Sequence, residues 1–431
     1  MNMSKINIRS LFNKYLIPLL VIVLIQGIYY FGLGLDHAPI EAHEIPDSAS
    51  YVNVMYTLYG HYQPDEIRTL GYPLLLYLMK QVSSFTPYHF YQSVFIIQFI
   101  MLILAIFIWM RIATKLTRLN SIWIAIALSL NPTFIIYAYS ISTEMSFLFF
   151  ISLGFYAVHK FLLKQNLISI SLAASSFCFA TLIRPGFYYF NLLFCLLILL
   201  LSLVKWKKLS YAVSIGCIYS LFIFSHQVTF FQKYQAFKLS HIDVITQYRY
   251  LTNQIQCVSH AKSLLENLKT LDATVSSLPS HNQHKYMLNI NHENLHANYG
   301  HTGIALLKTM LSNFLTGNTN YNSEKQNIFQ QRYFEITRIF NMGFCLALIL
   351  AHVVWLFAWR KLLFVSPIIY LVILFADYSF VTSCMSFWQG DRFNMVWFML
   401  ITVTLFFFYK LFFRVSAHHT GNFLRPNMIL R

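Results

Sequence analysis

The chain is a succession of apolar stretches, each about as long as a bilayer is thick. A hydrocarbon core of about 30 Å takes roughly 20 apolar residues in a helix. Ten stretches of that order occur, at residues 16–35, 90–112, 121–139, 145–161, 167–183, 186–204, 209–231, 336–359, 362–383 and 393–413. Backbone N–H and C=O groups find no water in lipid, so each stretch must close its hydrogen bonds within its own helix. The pattern therefore predicts an all-α, polytopic membrane protein with about ten transmembrane helices. Charged residues make up 11% of the chain, against about 25% in soluble domains, too few to coat a soluble surface. That excludes an ordinary cytosolic enzyme, a disordered tail and a disulfide-rich secreted module. The first stretch follows Lys5, Arg9 and Lys14 but has no small-x-small cleavage site before Asp36, so it reads as an uncleaved span. Residues 72–85 are apolar but too short to cross, and read as lying in the interface or dipping in and returning.

Charge placement gives an orientation. With the N-terminus in the cytoplasm, 17 of the 31 Lys and Arg fall on cytoplasmic ends and short loops, and none of the 15 Asp and Glu do. This is the positive-inside asymmetry. It accounts for the net charge of +16 without a nucleic-acid partner. Two outer segments are long: a first loop over 36–89, and a polar stretch over 232–335 that reads as a loop or small cap. The expected partition is a membrane domain in two parts, 1–231 and 336–431, with the outer segment between them. Cys257 and Cys384 lie in polar segments and leave one disulfide open.

Polar residues gather at the expected outer ends. The first loop carries Glu44, Asp47, Ser48 and Tyr51, then Asp65-Glu66-Ile67-Arg68-Thr69-Leu70-Gly71-Tyr72-Pro73. Later turns carry Asn131-Pro132, Ser142-Thr143-Glu144, Arg184-Pro185-Gly186 and Gly390-Asp391-Arg392. Carboxylates beside arginines at a membrane surface suit a lipid-linked phosphate: Arg binds phosphate fork-wise, and a carboxylate serves as general base. A plainer role is open to each. Asp47 and Ser48 are good N-caps for the amphipathic run that follows, Glu144 favours a helix N-terminus, Asp391 can cap the last span, and Arg184 and Arg392 can reach to headgroups. Capping and anchoring explain less well why the outer turns pair acid with Arg while the cytoplasmic turns hold bases alone.

The ordered set resembles the GT-C superfamily of integral membrane glycosyltransferases: an acidic first loop, Arg-x-x-Gly-Tyr-Pro, Asn-Pro, Thr-Glu, Arg-Pro and a late Gly-Asp-Arg-Phe. It is most similar to the bacterial relatives of protein O-mannosyltransferases and to the aminoarabinose-to-lipid A transferases. The likeness covers residues 16–205 and, more weakly, the last 45 or so. It implies a donor sugar on a polyprenyl phosphate and an acceptor hydroxyl on a lipid, a glycan or a protein. It further implies inversion at the anomeric carbon. The Lys-, Asn-, Ile- and Phe-rich composition points to an AT-rich bacterial genome and so to a bacterial inner membrane, with the site on the periplasmic side. By position it makes Asp47 the base, with Glu44 as the alternative. Arg184, Arg392 and Arg68 would bind the donor phosphate, with Glu144, Tyr51, Tyr72 and Asp391 in support. Two departures are plain: Glu44 and Asp47 are not adjacent as the acids of many relatives are, and Asp391 stands where Glu is common. No cofactor is assigned, and a divalent metal is left open.

Other classes remain. An O-antigen polymerase or ligase is the neighbouring reading, and a polytopic transporter the next, though most charges sit at the outer surface and only Asp377 approaches the midplane. His292-Glu293-Asn294-Leu295-His296 satisfies the His-Glu-x-x-His pattern of zinc proteases. Its Asn-rich surroundings and the lack of a third ligand at a matching spacing argue against a catalytic zinc, so no metal site is assigned.

Overall fold

The computed structural model describes residues 15–37, 44–45, 47–60, 62–86, 88–204, 206, 208–260, 263–316, 328–362, 367–383 and 390–413. Among them every regular element is helical and none is a strand. The first half runs α1 Ile17–Gly32, α2 Ser48–Thr57, α3 Gly71–Ser84, α4 Phe90–Thr117, α5 Ser121–Ser129, α6 Thr133–Tyr139, α7 Glu144–Lys164, α8 Leu167–Ile183, α9 Tyr188–Val204 and α10 Leu209–Tyr219, which continues to Tyr234. Next come a helix in three pieces (Ile242–Thr246, Gln247–Thr252 and Asn253–His260), α11 Leu264–Ser276, α12 Ser280–Ala297 and α13 Tyr299–Leu315. The chain closes with α14 Ile328–Leu362, α15 Pro367–Ser383 and α16 Gly390–Phe413.

Among the described residues five helices are long and apolar enough to cross a membrane, six if the bent pair α5–α6 is one span. Ile17–Gly32, Leu167–Ile183, Pro367–Thr382 and Phe398–Lys410 are apolar but shorter. The expected span at 336–359 is part of a longer helix, α14. Residues 72–85 fall in α3, a 14-residue helix with one buried face.

The long helices start and stop where local chemistry says they should. A capping box between His89 and Gln92 opens α4, satisfying N–H groups that have no partner in the first turn. Arg118 closes it in the left-handed region at φ 58°, and the Asn120 side chain then accepts from Ile122 N to start α5. Asn166 opens α8 in the same way.

The packing order of α4 and α7 fixes a crossing. Ser146 Oγ contacts Met101 Sδ at 3.6 Å and Trp109 Nε1 donates to Ser152 Oγ at 2.8 Å. Arg111 lies 5.7 Å from the ring of Tyr156. Partner numbers rise together, so α4 and α7 run parallel. The intervening α5–α6 must carry the chain back across the same thickness, although it bends by 65° at 130–132. The bend leaves carbonyls without helical partners in an apolar interior, where an unpaired group is costly. Gln26 Nε2 donates to Ser129 O at 2.9 Å and Tyr29 OH to Leu130 O at 2.8 Å. At the far end of α6, Gln98 Nε2 donates to Ala138 O at 3.1 Å and Ser140 O at 2.7 Å. Every residue of α6 is buried.

Bases collect at the Arg118 end of this bundle: Lys410 Nζ, on α16, donates to Leu116 O at 2.9 Å. From there α16 runs about 30 Å back to Gly390, so its first turn lies toward the opposite end. The 242–315 helices carry small apolar cores of their own, around Val244, Tyr248, Leu271 and Met287, and around Leu251, Ile255 and Ala305. Cys257 donates to Asn253 Oδ1 at 3.5 Å; Cys384 lies outside the described residues.

Candidate functional site

At the Glu144 end, four segments distant in sequence meet. Asp47 sits at the N-terminus of α2 but makes no capping bond. Its carboxylate turns to Arg68, whose Nη2 donates to Oδ1 at 2.7 Å. The guanidinium is engaged on all three nitrogens, since Nε donates to Ser50 Oγ at 2.8 Å and Nη1 to Tyr51 OH at 3.0 Å. Arg68 also lies 4.4 Å from the Tyr51 ring centroid. Asp65 Oδ1 accepts from Ile67 N at 2.9 Å and Arg68 N at 2.7 Å, a local turn that presents the arginine. Asp47 is thus held by a cation and not spent on a helix end.

A second pair lies deeper. Glu144 begins α7, with its side chain 0% exposed, and its Oε1 accepts from Arg184 Nη2 at 3.3 Å. Arg184 ends α8 in an extended conformation and stacks 5.4 Å from the Phe147 ring.

Tyr72 joins the two pairs. Its ring meets Tyr51 edge-on at 5.1 Å, and its hydroxyl donates to Gln98 Oε1 at 3.2 Å. Burial pushes its phenol well above its ordinary range, and the nearby Glu144 carboxylate and Tyr51 push the same way. Ser48 Oγ donates to Ile141 O at 2.9 Å, tying the first loop to the turn before Glu144. Gly71 completes the joint: a Cβ there would lie 2.5 Å from Leu182 C and 2.7 Å from Ile183 N. Only glycine lets the backbone of α3 lie directly against the end of α8, two residues before Arg184.

A further set of contacts clamps the loop from the 232–241 side. Lys233 Nζ donates to Pro64 O at 2.9 Å, Tyr234 OH to the same carbonyl at 3.2 Å, and His241 N to Glu66 O at 2.8 Å. His241 Nδ1 lies 3.3 Å from Glu66 Oε1, and the ring stacks on His284 at 3.6 Å. The His241 contact holds the Glu66 carboxyl below its ordinary value. Burial and the neighbouring His241 lower His284.

Of the residues singled out in the sequence, Asp47, Tyr51, Arg68, Tyr72, Glu144 and Arg184 come together. Glu44 does not join them: its Oε1 accepts from Tyr91 OH at 2.6 Å. Asp391 and Arg392 lie in the first turn of α16, and their side chains fall outside the described residues. Sequence reasoning missed Ser50, Gln98 and His241. Gln98 had a signal, being an amide inside an apolar run. His292 and His296 do lie on a helix, α12, with ring centroids 4.1 Å apart, and His296 Nδ1 is 2.5 Å from Tyr299 OH. Among the described residues no three His, Cys, Asp or Glu side chains converge to hold a metal.

The arrangement offers two carboxylates, one enclosed and one with access to water, and two guanidinium groups at the end of an apolar bundle, which suits phosphate binding beside a proton acceptor. No family model, no curated protein and no solved structure matches this chain.

Proposed function

We propose that the chain is a multi-pass membrane glycosyltransferase of the GT-C kind, moving a sugar from a polyprenyl phosphate to an acceptor hydroxyl with inversion. The observation that carries the reading is the convergence of Asp47–Arg68 and Glu144–Arg184 around Tyr72. Asp47 takes the proton of the acceptor hydroxyl as its oxygen attacks the anomeric carbon; the bond to the lipid phosphate breaks, and the phosphate keeps its electron pair. Arg68 and Arg184 neutralise that phosphate, with Arg392 as a third donor. Arg68 holds Asp47 in the resting state, so donor binding draws the guanidinium toward phosphate and frees the carboxylate as a base. Glu144 keeps Arg184 aimed. In this reading the bundle has about ten spans, both ends are cytoplasmic, and the site faces the periplasm of a bacterial inner membrane. The grouping of bases at the Arg118 end supports that orientation.

Purified chain is assayed with a panel of undecaprenyl-phosphate sugars and acceptors, reading released lipid phosphate. Turnover with one donor, lost in Asp47→Asn, is expected; wild-type turnover in that variant overturns the assignment of the base. Topology is checked separately: a cysteine at Ser280 reacts with an impermeant reagent from outside and one at Lys164 does not, and the reverse pattern overturns the orientation.

One observation favours a second reading, a proton-coupled transporter. His352 on α14 and Asp377 on α15 are hydrogen-bonded within the apolar segments, and ionisable groups at that depth often mark ion pathways. Loss of a pH-driven flux in Asp377→Asn, with no glycosyl transfer in the parent, would favour it.

A further inference from the structure

For a helix in water, α13 is built inside out. Its buried face carries Ala305, Thr309 and Asn313, while Ile304, Leu307, Leu311 and Leu315 are exposed along the other side. A helix on a soluble surface turns its apolar stripe to the core and its polar residues to solvent. Helices in lipid do the reverse and keep small and polar residues for contacts with other helices. The polar face of α13 is pinned to a spanning helix. Asn341 Nδ2, on α14, donates to Asn313 O at 2.6 Å, Phe314 O at 3.3 Å and Thr316 O at 2.8 Å, meeting carbonyls that a helix end leaves open. Asn341 is buried and lies about 10 Å along the apolar length Phe334–Val354, beyond the exposed Glu335–Arg338 pair. The last turn of α13 therefore sits past that charged pair, within the apolar layer. Its Phe314 ring meets Phe380 of α15 at 5.8 Å, and Tyr378 of the same helix donates to Gly186 O. The end of α13 thus lies at the same end of the bundle as Arg184.

We propose that α13 is embedded in one leaflet of the bilayer, with lipid acyl chains covering the stripe of Ile304, Leu307, Leu311 and Leu315. Lipid is the occupant for two reasons. The helix ends inside the apolar layer, and α14, to which it is pinned, has the same apolar exterior, with Ile339, Met342, Leu346 and Ile349 exposed. Lys308 is exposed beside the stripe, on a stem long enough to carry its ammonium to the headgroups. On its buried side, Ala305 packs with Leu251 and Ile255. In this way α13 ties the helices over 242–297 to the membrane, at the end where Arg184 lies. The proposal does not depend on the glycosyltransferase reading.

The test uses the full chain in phosphatidylcholine vesicles that contain a small fraction of phosphatidylcholine with a diazirine in its acyl chain. After irradiation, adducts are mapped by mass spectrometry. Residues 304–315 are expected to take up label at a yield similar to that of 339–353 in α14, with none above background in 280–297 of α12. A water-soluble diazirine should give the reverse, labelling α12 and sparing the stripe. Raising the protein-to-lipid ratio should leave the yield in 304–315, relative to 339–353, unchanged. Lipid adducts in 339–353 with none in 304–315 overturn the proposal. So does a stripe labelled from water. A relative yield that falls as the chain is crowded also overturns it, and gives the stripe to a second copy of the chain instead.

Discussion

The two ion pairs at the candidate site pose one chemistry in two surroundings. Asp47 and Arg68 keep 31% and 15% of their side chains exposed, whereas Glu144 keeps none and Arg184 18%. The first pair hangs on a loop and is bound to hydroxyls that water can replace. The second joins the start of one helix to the end of another. The arginines are about equally covered, so the carboxylates carry the difference: one with some access to water exchanges partners more readily. A buried carboxylate that loses its cation is left uncompensated. The comparison teaches a division of work: the half-buried acid is placed to react, the enclosed acid to hold geometry.

The largest expected effect tests the exposed half. Asp47→Asn should lower turnover by about 10²–10⁴-fold, the usual share of a general base, while thermal unfolding barely moves. Because Asp47 does not cap α2, a loss of turnover cannot be put down to a frayed helix. If turnover survives and Glu44→Gln abolishes it instead, the chemistry belongs with Tyr91 and the division fails.

The buried half should answer the other way. Arg184→Ala leaves Glu144 charged and enclosed, and should cost about 3 kcal/mol of stability, the lower end for breaking a buried pair because Arg184 retains some access to water. The combined Arg184→Met, Glu144→Gln variant should recover much of it. Stability unchanged in Arg184→Ala would make the two pairs equivalent.

Gly71→Ala sharpens the comparison by pulling the pairs apart. The added methyl meets backbone, which cannot step aside, so a cost of about 1–3 kcal/mol is expected. Turnover should fall together with stability, since Arg68 and Arg184 lose their common joint. A well-folded Gly71→Ala with full activity would show that the joint is dispensable.

The smallest effect concerns the clamp at His241. Glu66 has a lowered value, so its contribution is present above the ordinary carboxylate range and fades as pH falls through its folded value. His284 is lowered too, so the unfolded chain takes up a proton first, near pH ~6.5, and the folded clamp weakens below that. Both act in one direction. Protection of residues 62–70 from hydrogen exchange, corrected for intrinsic rates, should drop modestly from pH 7 to pH 5, by under about 1 kcal/mol given the exposure of Glu66. Protection that rises on acidification contradicts the assignment.

The residue types and the end of the bundle at which they gather were legible in the sequence, because charges in an apolar chain are sparse and their spacing in hydropathy is plain. Which acid meets which arginine was not. Asp47 and Glu44 are three residues apart, and one meets Arg68 while the other meets Tyr91 of α4, a tertiary choice that no local pattern encodes. The break at Asn131-Pro132 was visible as residues but not as a bend within a crossing, since hydropathy averages over the whole stretch. The same averaging outweighs Gln26 and Gln98, although each stands in the sequence as a lone amide in an apolar run. It also set the expected number of spans at ten, where five or six helices among the described residues are long enough by themselves: a helix of 16 or 17 residues such as α1 or α8 reads as a full stretch once its flanking residues are counted.

The bent crossing carries a consequence for the birth of the molecule. The carbonyls freed at the kink are met by Gln26 and Tyr29 from α1, and the end of α6 by Gln98 from α4. All three precede the kink in the chain. Synthesis runs from the N-terminus, and earlier segments settle first. When the kinked segment leaves the ribosome, its stitches are already in the membrane. A circular permutant that makes α5 and α6 before α1 would ask them to enter lipid with bare carbonyls, and should stall at insertion even though every native contact remains available to it.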